Sequence, residues 1–138
     1  MKKFILIIIS FLFFGCVSKD NEILEAEKTI QNFYTFLKQH NKEDAFKLFD
    51  PRETDKEKFD FIYDKVENEN GSIVDFKLVG WQKTTAIGTG SQSEYLLTYD
   101  VIRSISNTKE SFLLQKINDS IKIQKTKIDF DLSQKKPQ

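Results

Sequence analysis

The sequence predicts one α+β domain in which N-terminal helices pack on a curved antiparallel sheet of about four strands. Apolar residues recur at spacings of three and four from residue 22 to about residue 70, which is the period of amphipathic helices. Beyond Gly71 the period changes to two, as in half-buried strands. Polar turns interrupt this second half, so the strands are expected to follow one another as a meander.

The first predicted helix runs from about Glu22 to Gln39. Its apolar residues are three or four positions apart, so they fall on one face of the helix. They are Ile23, Ala26, Ile30, Phe33, Tyr34 and Leu37. The charged and amide side chains between them fall on or near the opposite face. This pattern predicts a helix that is buried on one side only.

Two further helices are predicted before the strands begin. Asn41 can cap a short second helix over about 42–49, and Pro51 stops it. Thr54 opens a capping-box pattern for a third helix. That helix is expected to end by Gly71, because glycine allows a left-handed turn at a helix C-terminus.

The four predicted strands cover residues 73–81, 94–106, 111–117 and 121–130. On the first strand Val74, Phe76 and Leu78 are predicted to share a face, and Gly80 is predicted to form a bulge. On the second strand one face collects alternate residues, which are Tyr95, Leu97, Tyr99, Val101, Arg103 and Ile105.

The N-terminus reads MKKFILIIISFLFFGC, with two lysines followed by an apolar run and then glycine and Cys16. The apolar run of about 11 residues is too short to span a bilayer well, since spanning takes about 20. This order resembles a bacterial lipoprotein signal peptide over residues 1–15, with cleavage before Cys16 and lipid attachment to its sulfur. Residues 16–21 would then form a tether. An ordinary secretory signal or an uncleaved anchor is the alternative.

Lipid on Cys16 would hold the protein at the cell envelope, on the outer side of the cytoplasmic membrane or on the outer membrane. The chain has 21 basic and 21 acidic side chains, so nucleic acid is not an expected partner. One histidine and a lipidated cysteine do not make the usual zinc sites, and we expect no metal or cofactor. Residues 131–138 are predicted to be a polar tail.

The order of three helices and a four-stranded meander resembles the nuclear transport factor 2-like superfamily, whose cystatin-like α+β fold is cone-shaped. Three segments carry the resemblance, namely AEKTIQNFYTFL, EYLLTYDVIR and NDSIKIQKTKIDF. It covers residues 22–130 and looks most like small secreted or lipid-anchored bacterial members. It implies a pocket between the helices and the concave face of the sheet. An unrelated α+β meander is the alternative.

That implied pocket supplies the candidate ligand-binding residues, which are Tyr34, Tyr63, Trp81, Tyr99 and Arg103. Arg103 interrupts an apolar strand face, and its guanidinium could bind a carboxylate or phosphate in a fork geometry. Alternatively, the aromatic side chains form the core, and Arg103 reaches water or pairs with an acid.

We expect a non-catalytic domain that binds a small ligand or a protein partner. The alternative is an enzyme of isomerase or hydrolase type that uses Asp100 or a pocket tyrosine. Tyr99 and Asp100 are adjacent on a strand, so their side chains are predicted to face opposite sides of the sheet. This disfavours the simplest enzyme arrangement, and no catalytic residue is assigned. A structural role in a membrane complex is a third possibility.

Overall fold

Three helices precede a four-stranded antiparallel sheet in the computed structural model, which describes residues 19–85 and 92–130. The elements are α1 (Asn21–Lys38), α2 (Lys42–Phe46), α3 (Lys56–Asn70), β1 (Ile73–Thr85), β2 (Ser93–Arg103), β3 (Thr108–Ile117) and β4 (Ser120–Phe130). The sheet is curved, does not close, and has the strand order β1-β2-β3-β4. The predicted fold class is therefore confirmed. The predictions for 1–15, Cys16 and 131–138 lie outside the described residues.

Side-chain caps set the helix starts. The Ile23 amide donates to Asp20 Oδ1 at 2.9 Å at the start of α1, and the Asp44 amide donates to Asn41 Oδ1 at 3.2 Å at the start of α2. The Asn41 cap was predicted and is confirmed. The prediction for α3 was wrong by one residue, because Asp55 and not Thr54 accepts the first-turn amide, from Lys58 at 2.7 Å.

Helix α2 ends at Phe46, earlier than predicted, because the following residues pair with the sheet. The Ile123 amide donates to the Leu48 carbonyl at 2.9 Å, and the Asp50 amide donates to the Ile123 carbonyl at 2.9 Å. This short parallel bridge covers part of the edge of β4. It also fixes the helical layer against the last strand.

Strand β1 carries two irregularities in its pairing with β2. The register shifts between Leu78 and Gly80, which confirms the bulge predicted at Gly80. It also shifts between Ile73 and Asp75. The extra residue there takes Val74 out of the alternation, so Val74 is 56% exposed. The prediction that Val74 and Phe76 share one face of the strand was wrong.

The turn between β2 and β3 comes earlier than the sequence pattern indicated. Strand β2 ends at Arg103 and β3 begins at Thr108, three residues before the predicted start. Ile105 therefore lies in the turn and is half exposed, where the pattern had put it on the buried face. The β3–β4 turn falls on Asn118 and Asp119, whose φ angles of 47° and 66° suit a tight hairpin.

The core forms where the apolar stripe of α1 meets the inner face of the sheet. Phe33 lies within it, and its ring centroid is 5.4 to 6.4 Å from five neighbouring rings, those of Tyr34, Phe49, Phe59, Tyr63 and Phe112. Most of these contacts are edge-to-face, the arrangement that aromatic quadrupoles favour. The described part of the chain thus relies on aromatic packing between helices and sheet.

Candidate functional site

Arg103 is the last residue of β2, and its side chain is only 3% exposed. Its Nη2 donates to Glu110 Oε2 at 2.9 Å, and its Nη1 donates to the Gly71 carbonyl at 3.1 Å. The Nε group donates to the Thr108 hydroxyl at 3.2 Å. Of the alternatives considered for Arg103, pairing with an acid is the one that the structure confirms.

Glu110 completes this buried cluster from the inner face of β3. Its Oε1 accepts a hydrogen bond from the Tyr34 hydroxyl at 3.1 Å. Its Oε2 accepts from the Thr108 hydroxyl at 2.6 Å as well as from Arg103. The carboxylate is fully buried, and these three donors compensate for its loss of water. Burial first, and then the negative charge of Glu110, raises the pKa of Tyr34.

Sequence reasoning missed Glu110. The sequence did contain a signal, because Thr108, Glu110, Phe112 and Leu114 occupy alternate positions. In the structure all four side chains are buried on the same face of β3. The predicted strand began at Ser111, which left Glu110 outside it. An acid that shares an apolar strand face seven residues after a buried arginine is the pattern that would have found it.

The buried cluster borders a cleft of about 320 Å³ at one end of the helical layer. Leu37 and Lys38 of α1 form one wall, Tyr63 of α3 forms another, and Arg103 lies at the edge of the sheet. Ser72, between α3 and β1, also lines it. We refer to it as the Arg103 cleft. A guanidinium has five N–H donors, and the three bonds above use three of them.

Charged side chains of both signs surround the mouth of the Arg103 cleft. Lys42 Nζ lies 2.6 Å from Asp64 Oδ1, and this hydrogen bond raises the pKa of Lys42. His40 Nδ1 lies 3.7 Å from Glu67 Oε1. Lys38 Nζ donates to the Val74 carbonyl at 3.4 Å, a long bond, and forms no ion pair with a carboxylate within residues 19–85 and 92–130. The mouth is therefore nearly balanced in charge.

Two of the five predicted ligand-binding residues line the Arg103 cleft, and the other three do not. Tyr63 and Arg103 line the Arg103 cleft together, although they are 40 positions apart in the sequence. Tyr34 and Tyr99 are buried core side chains and do not line it. Trp81 pairs with Leu97 in the sheet and packs, partly buried, against the core, also away from the cleft.

Asp100 lies on the outer face of the sheet. It is exposed, and its Oδ1 is 3.7 Å from Lys109 Nζ on β3. Tyr99 faces the core, so the two neighbours do point to opposite sides as alternation predicted. Asp100 and the inward-facing tyrosines therefore do not share a pocket.

Comparison with known proteins does not assign this arrangement to a family. The sequence matches no family model and no curated protein. The likeness to the nuclear transport factor 2-like superfamily therefore stays a prediction. None of the described helices is long and apolar enough to cross a membrane. Within residues 19–85 and 92–130, no three His, Cys, Asp or Glu side chains form a group that could hold a metal ion.

Proposed function

We propose that this chain is a lipid-anchored protein of the cell envelope whose non-catalytic α+β domain binds a small ligand in the Arg103 cleft. The anchor would be lipid on Cys16, and the protein would sit on the outer side of the cytoplasmic membrane or on the outer membrane. The N-terminal sequence supports the anchor. The geometry of the Arg103 cleft supports the binding role.

One observation carries the binding role. A buried, rigidly held guanidinium borders a cleft of about 320 Å³, a volume at the lower end of the range for small-molecule sites. Four contacts within the protein hold Arg103 in place, through its three side-chain nitrogens and through its amide, which donates to Asn107 Oδ1 at 3.2 Å. A ligand would therefore meet a donor that is already oriented, which lowers the entropy lost on binding.

The charges around the cleft narrow the chemistry of that ligand. Glu110 neutralises Arg103, and Asp64 neutralises Lys42, so the cleft offers little excess positive charge. A doubly charged phosphate would meet the nearby carboxylates of Asp64 and Glu67. We therefore favour a small polar molecule with one carboxylate or another oxygen acceptor, placed in the cleft between Arg103 and Lys38.

The enzyme alternative has less support from the geometry. Asp100, its proposed base, lies on the outer face of the sheet beside Lys109 and does not line the Arg103 cleft. A general base must come within hydrogen-bond reach of the substrate. Tyr63 does line the cleft, but burial raises its pKa, so it is a poor base near neutral pH.

Native mass spectrometry of the lipidated protein, purified gently from the envelope of its own host, tests the binding role. Ser72→Trp places a bulky side chain in the cleft, and Val74→Trp adds the same bulk two residues away, at an exposed position that does not line it. We expect a co-purifying small molecule on the wild type and on Val74→Trp, and its loss from Ser72→Trp.

The same purification tests the anchor and the ligand separately. Cys16→Ser should release the protein from the membrane fraction and remove the mass of the acyl groups. A wild-type protein with no added small molecule, or equal retention by the two tryptophan variants, would contradict the binding role. Membrane retention by Cys16→Ser would contradict the lipid anchor.

A further inference from the structure

We propose that the domain stands on the lipid surface on the end where α1 begins, so that the Arg103 cleft opens away from the membrane. This inference rests on the proposed lipid attachment to Cys16. We call the end in question the proximal end, and it comprises Asp20, Lys83, Tyr95 and the β3–β4 turn at Asn118 and Asp119. Its partner is a lipid headgroup surface.

The first step is the shortness of the link between lipid and domain. Lys19 is already held to α1, because its Nζ lies 3.0 Å from Glu27 Oε2. Asp20 caps α1 and lies 2.9 Å from Lys83 Nζ on β1. Only three residue steps separate Cys16 from Lys19, which reach about 11 Å at full extension. The start of α1 must therefore stay within about that distance of the lipid attachment.

The second step is that the sheet brings other elements to the same end. Lys83 bridges Asp20 and Glu22, at 2.9 Å from a carboxylate oxygen of each. The Tyr95 hydroxyl donates to Glu22 Oε2 at 2.5 Å. Tyr95 lies near the start of β2 and pairs with Leu114 near the end of β3, which leads into the β3–β4 turn. The short linker between Cys16 and Lys19 therefore keeps these strand ends at the lipid surface together with the start of α1.

The third step is the distance from this end to the cleft. Helix α1 has 18 residues, so it spans about 27 Å at 1.5 Å per residue. Leu37 and Lys38, at its far end, line the Arg103 cleft. Along β2, Tyr95 and Arg103 are eight residues apart, or about 26 Å. The cleft thus lies about 26 Å beyond the proximal end and would take its ligand from the aqueous compartment rather than from the bilayer.

The charge of the proximal end indicates that the short linker, and not electrostatic attraction, holds this end at the lipid surface. Lys83 is paired with both Asp20 and Glu22, and its hydrogen bonds lower the pKa of both carboxyl groups. This cluster carries no excess positive charge of the kind that draws polybasic segments to anionic lipids. The orientation should therefore not depend on salt or on anionic lipid.

A fluorescence-quenching experiment tests the orientation. The lipidated full chain is reconstituted in phosphatidylcholine vesicles that contain lipids with nitroxide-labelled headgroups. Single cysteines are introduced as Glu94→Cys or Ile102→Cys and labelled with a fluorophore. Cys16 is the only native cysteine and its sulfur would carry lipid, so the introduced thiol is the only reactive one. The two positions are a matched pair, because both are exposed and both lie on the outer face of β2.

We expect several-fold stronger quenching of the label at Glu94→Cys than of the label at Ile102→Cys, with no change in high salt. Inserting about 20 Gly/Ser residues before Lys19 lengthens the linker to a typical span of about 25 Å. This insertion should abolish the difference in quenching between the two labels. Equal quenching of the two labels on vesicle-bound protein overturns the orientation alone. Protein that lacks acyl mass and does not bind vesicles overturns the lipid anchor, and the orientation with it.

Discussion

Arg103 and Glu110 form an ion pair whose two side chains are 3% and 0% exposed, with 2.9 Å between Nη2 and Oε2. The pair joins the end of β2 to the start of β3 across a four-residue turn. A buried pair of this kind adds little net stability compared with an apolar pair of similar volume, because both ions lose water. Removing either side chain nevertheless leaves the charge of the other buried without a counterion, and the first prediction follows from that.

Glu110→Gln should destabilise the fold by about 3–5 kcal/mol, because it leaves the charge of Arg103 buried without a counterion. Urea unfolding followed by the fluorescence of Trp81, the only tryptophan, measures the change. Asp100→Asn is the matched control, since it makes the same acid-to-amide change in an exposed pair with Lys109. We expect less than about 1 kcal/mol for the control. Equal effects of the two variants would contradict the buried pair.

Two neighbouring tyrosines allow a second matched test. Their rings are 5.6 Å apart and both are buried, but only the Tyr34 hydroxyl has a partner, Glu110. The Tyr99 hydroxyl is buried with no hydrogen bond within the described residues. Tyr34→Phe should therefore cost about 1.5–3 kcal/mol, the usual value for a hydrogen bond to a charged group. Tyr99→Phe should be neutral or slightly stabilising, because it removes a buried hydroxyl that lacks a partner.

The difference between these two variants is the quantity to measure. Chemical denaturation of both, under one condition, gives it directly. If Tyr99→Phe proved as costly as Tyr34→Phe, the hydroxyl of Tyr99 would have a partner that the structure does not give. If neither variant lost stability, the bond from Tyr34 to Glu110 would contribute nothing.

Periodicity was enough to predict the fold class, because α1 and β2 each bury one clean face. It placed Phe33 and Tyr34 in the helix stripe and put Arg103 on the inner face of β2, and the structure confirms both. It failed at Val74, where a bulge inserts an extra residue, since a bulge breaks the alternation on which the prediction depends.

The site was only partly predictable, for two physical reasons. The second strand was predicted to continue to Ser106 and the turn to end at Lys109, so Glu110 was not recognised as a strand residue. The meeting of Tyr63 and Arg103 depends on how α3 packs on the end of the sheet, and no local pattern carries that information. Sequence reasoning therefore found the arginine but not the acid that holds it.

Asp50 should make stability depend on pH in the acid range. Hydrogen bonds from the Arg52 guanidinium and amide lower the pKa of Asp50 to about 2. An aspartate in the unfolded chain has a pKa of about 3.9. The unfolded state thus takes up the proton first, and the contribution of Asp50, complete above about pH 4, is lost as the pH falls through about 2.

Asp50→Asn removes this titration. We expect the stability difference between wild type and Asp50→Asn to narrow as the pH is lowered from 5 to 2, measured by urea unfolding at each pH. Arg52→Ala should weaken this pH dependence only in part, since it removes the guanidinium donors but keeps the backbone amide that also donates to Asp50. A difference that stays constant over this range would show that Asp50 titrates alike in the folded and unfolded states.

Gly71 joins α3 to β1 in a backbone conformation that other residues rarely adopt. Its φ and ψ angles are 89° and 174°, a region that essentially only glycine occupies. A Cβ placed there would also lie 2.8 Å from the Ile105 amide nitrogen, at the turn that follows Arg103. The Gly71 carbonyl accepts a hydrogen bond from Arg103 Nη1, so strain at Gly71 would act directly on the buried cluster.

Gly71→Ala should therefore destabilise the fold by at least about 1–3 kcal/mol, the cost of such backbone strain. Gly80→Ala is the control, because the nearest atom to a Cβ there is Thr98 Cβ at 4.0 Å. We expect about 0.5 kcal/mol or less for the control, with thermal unfolding as the measurement. If Gly71→Ala unfolded like the wild type, the backbone at the end of α3 could relax, and Gly71 would not be required to hold the carbonyl that Arg103 binds.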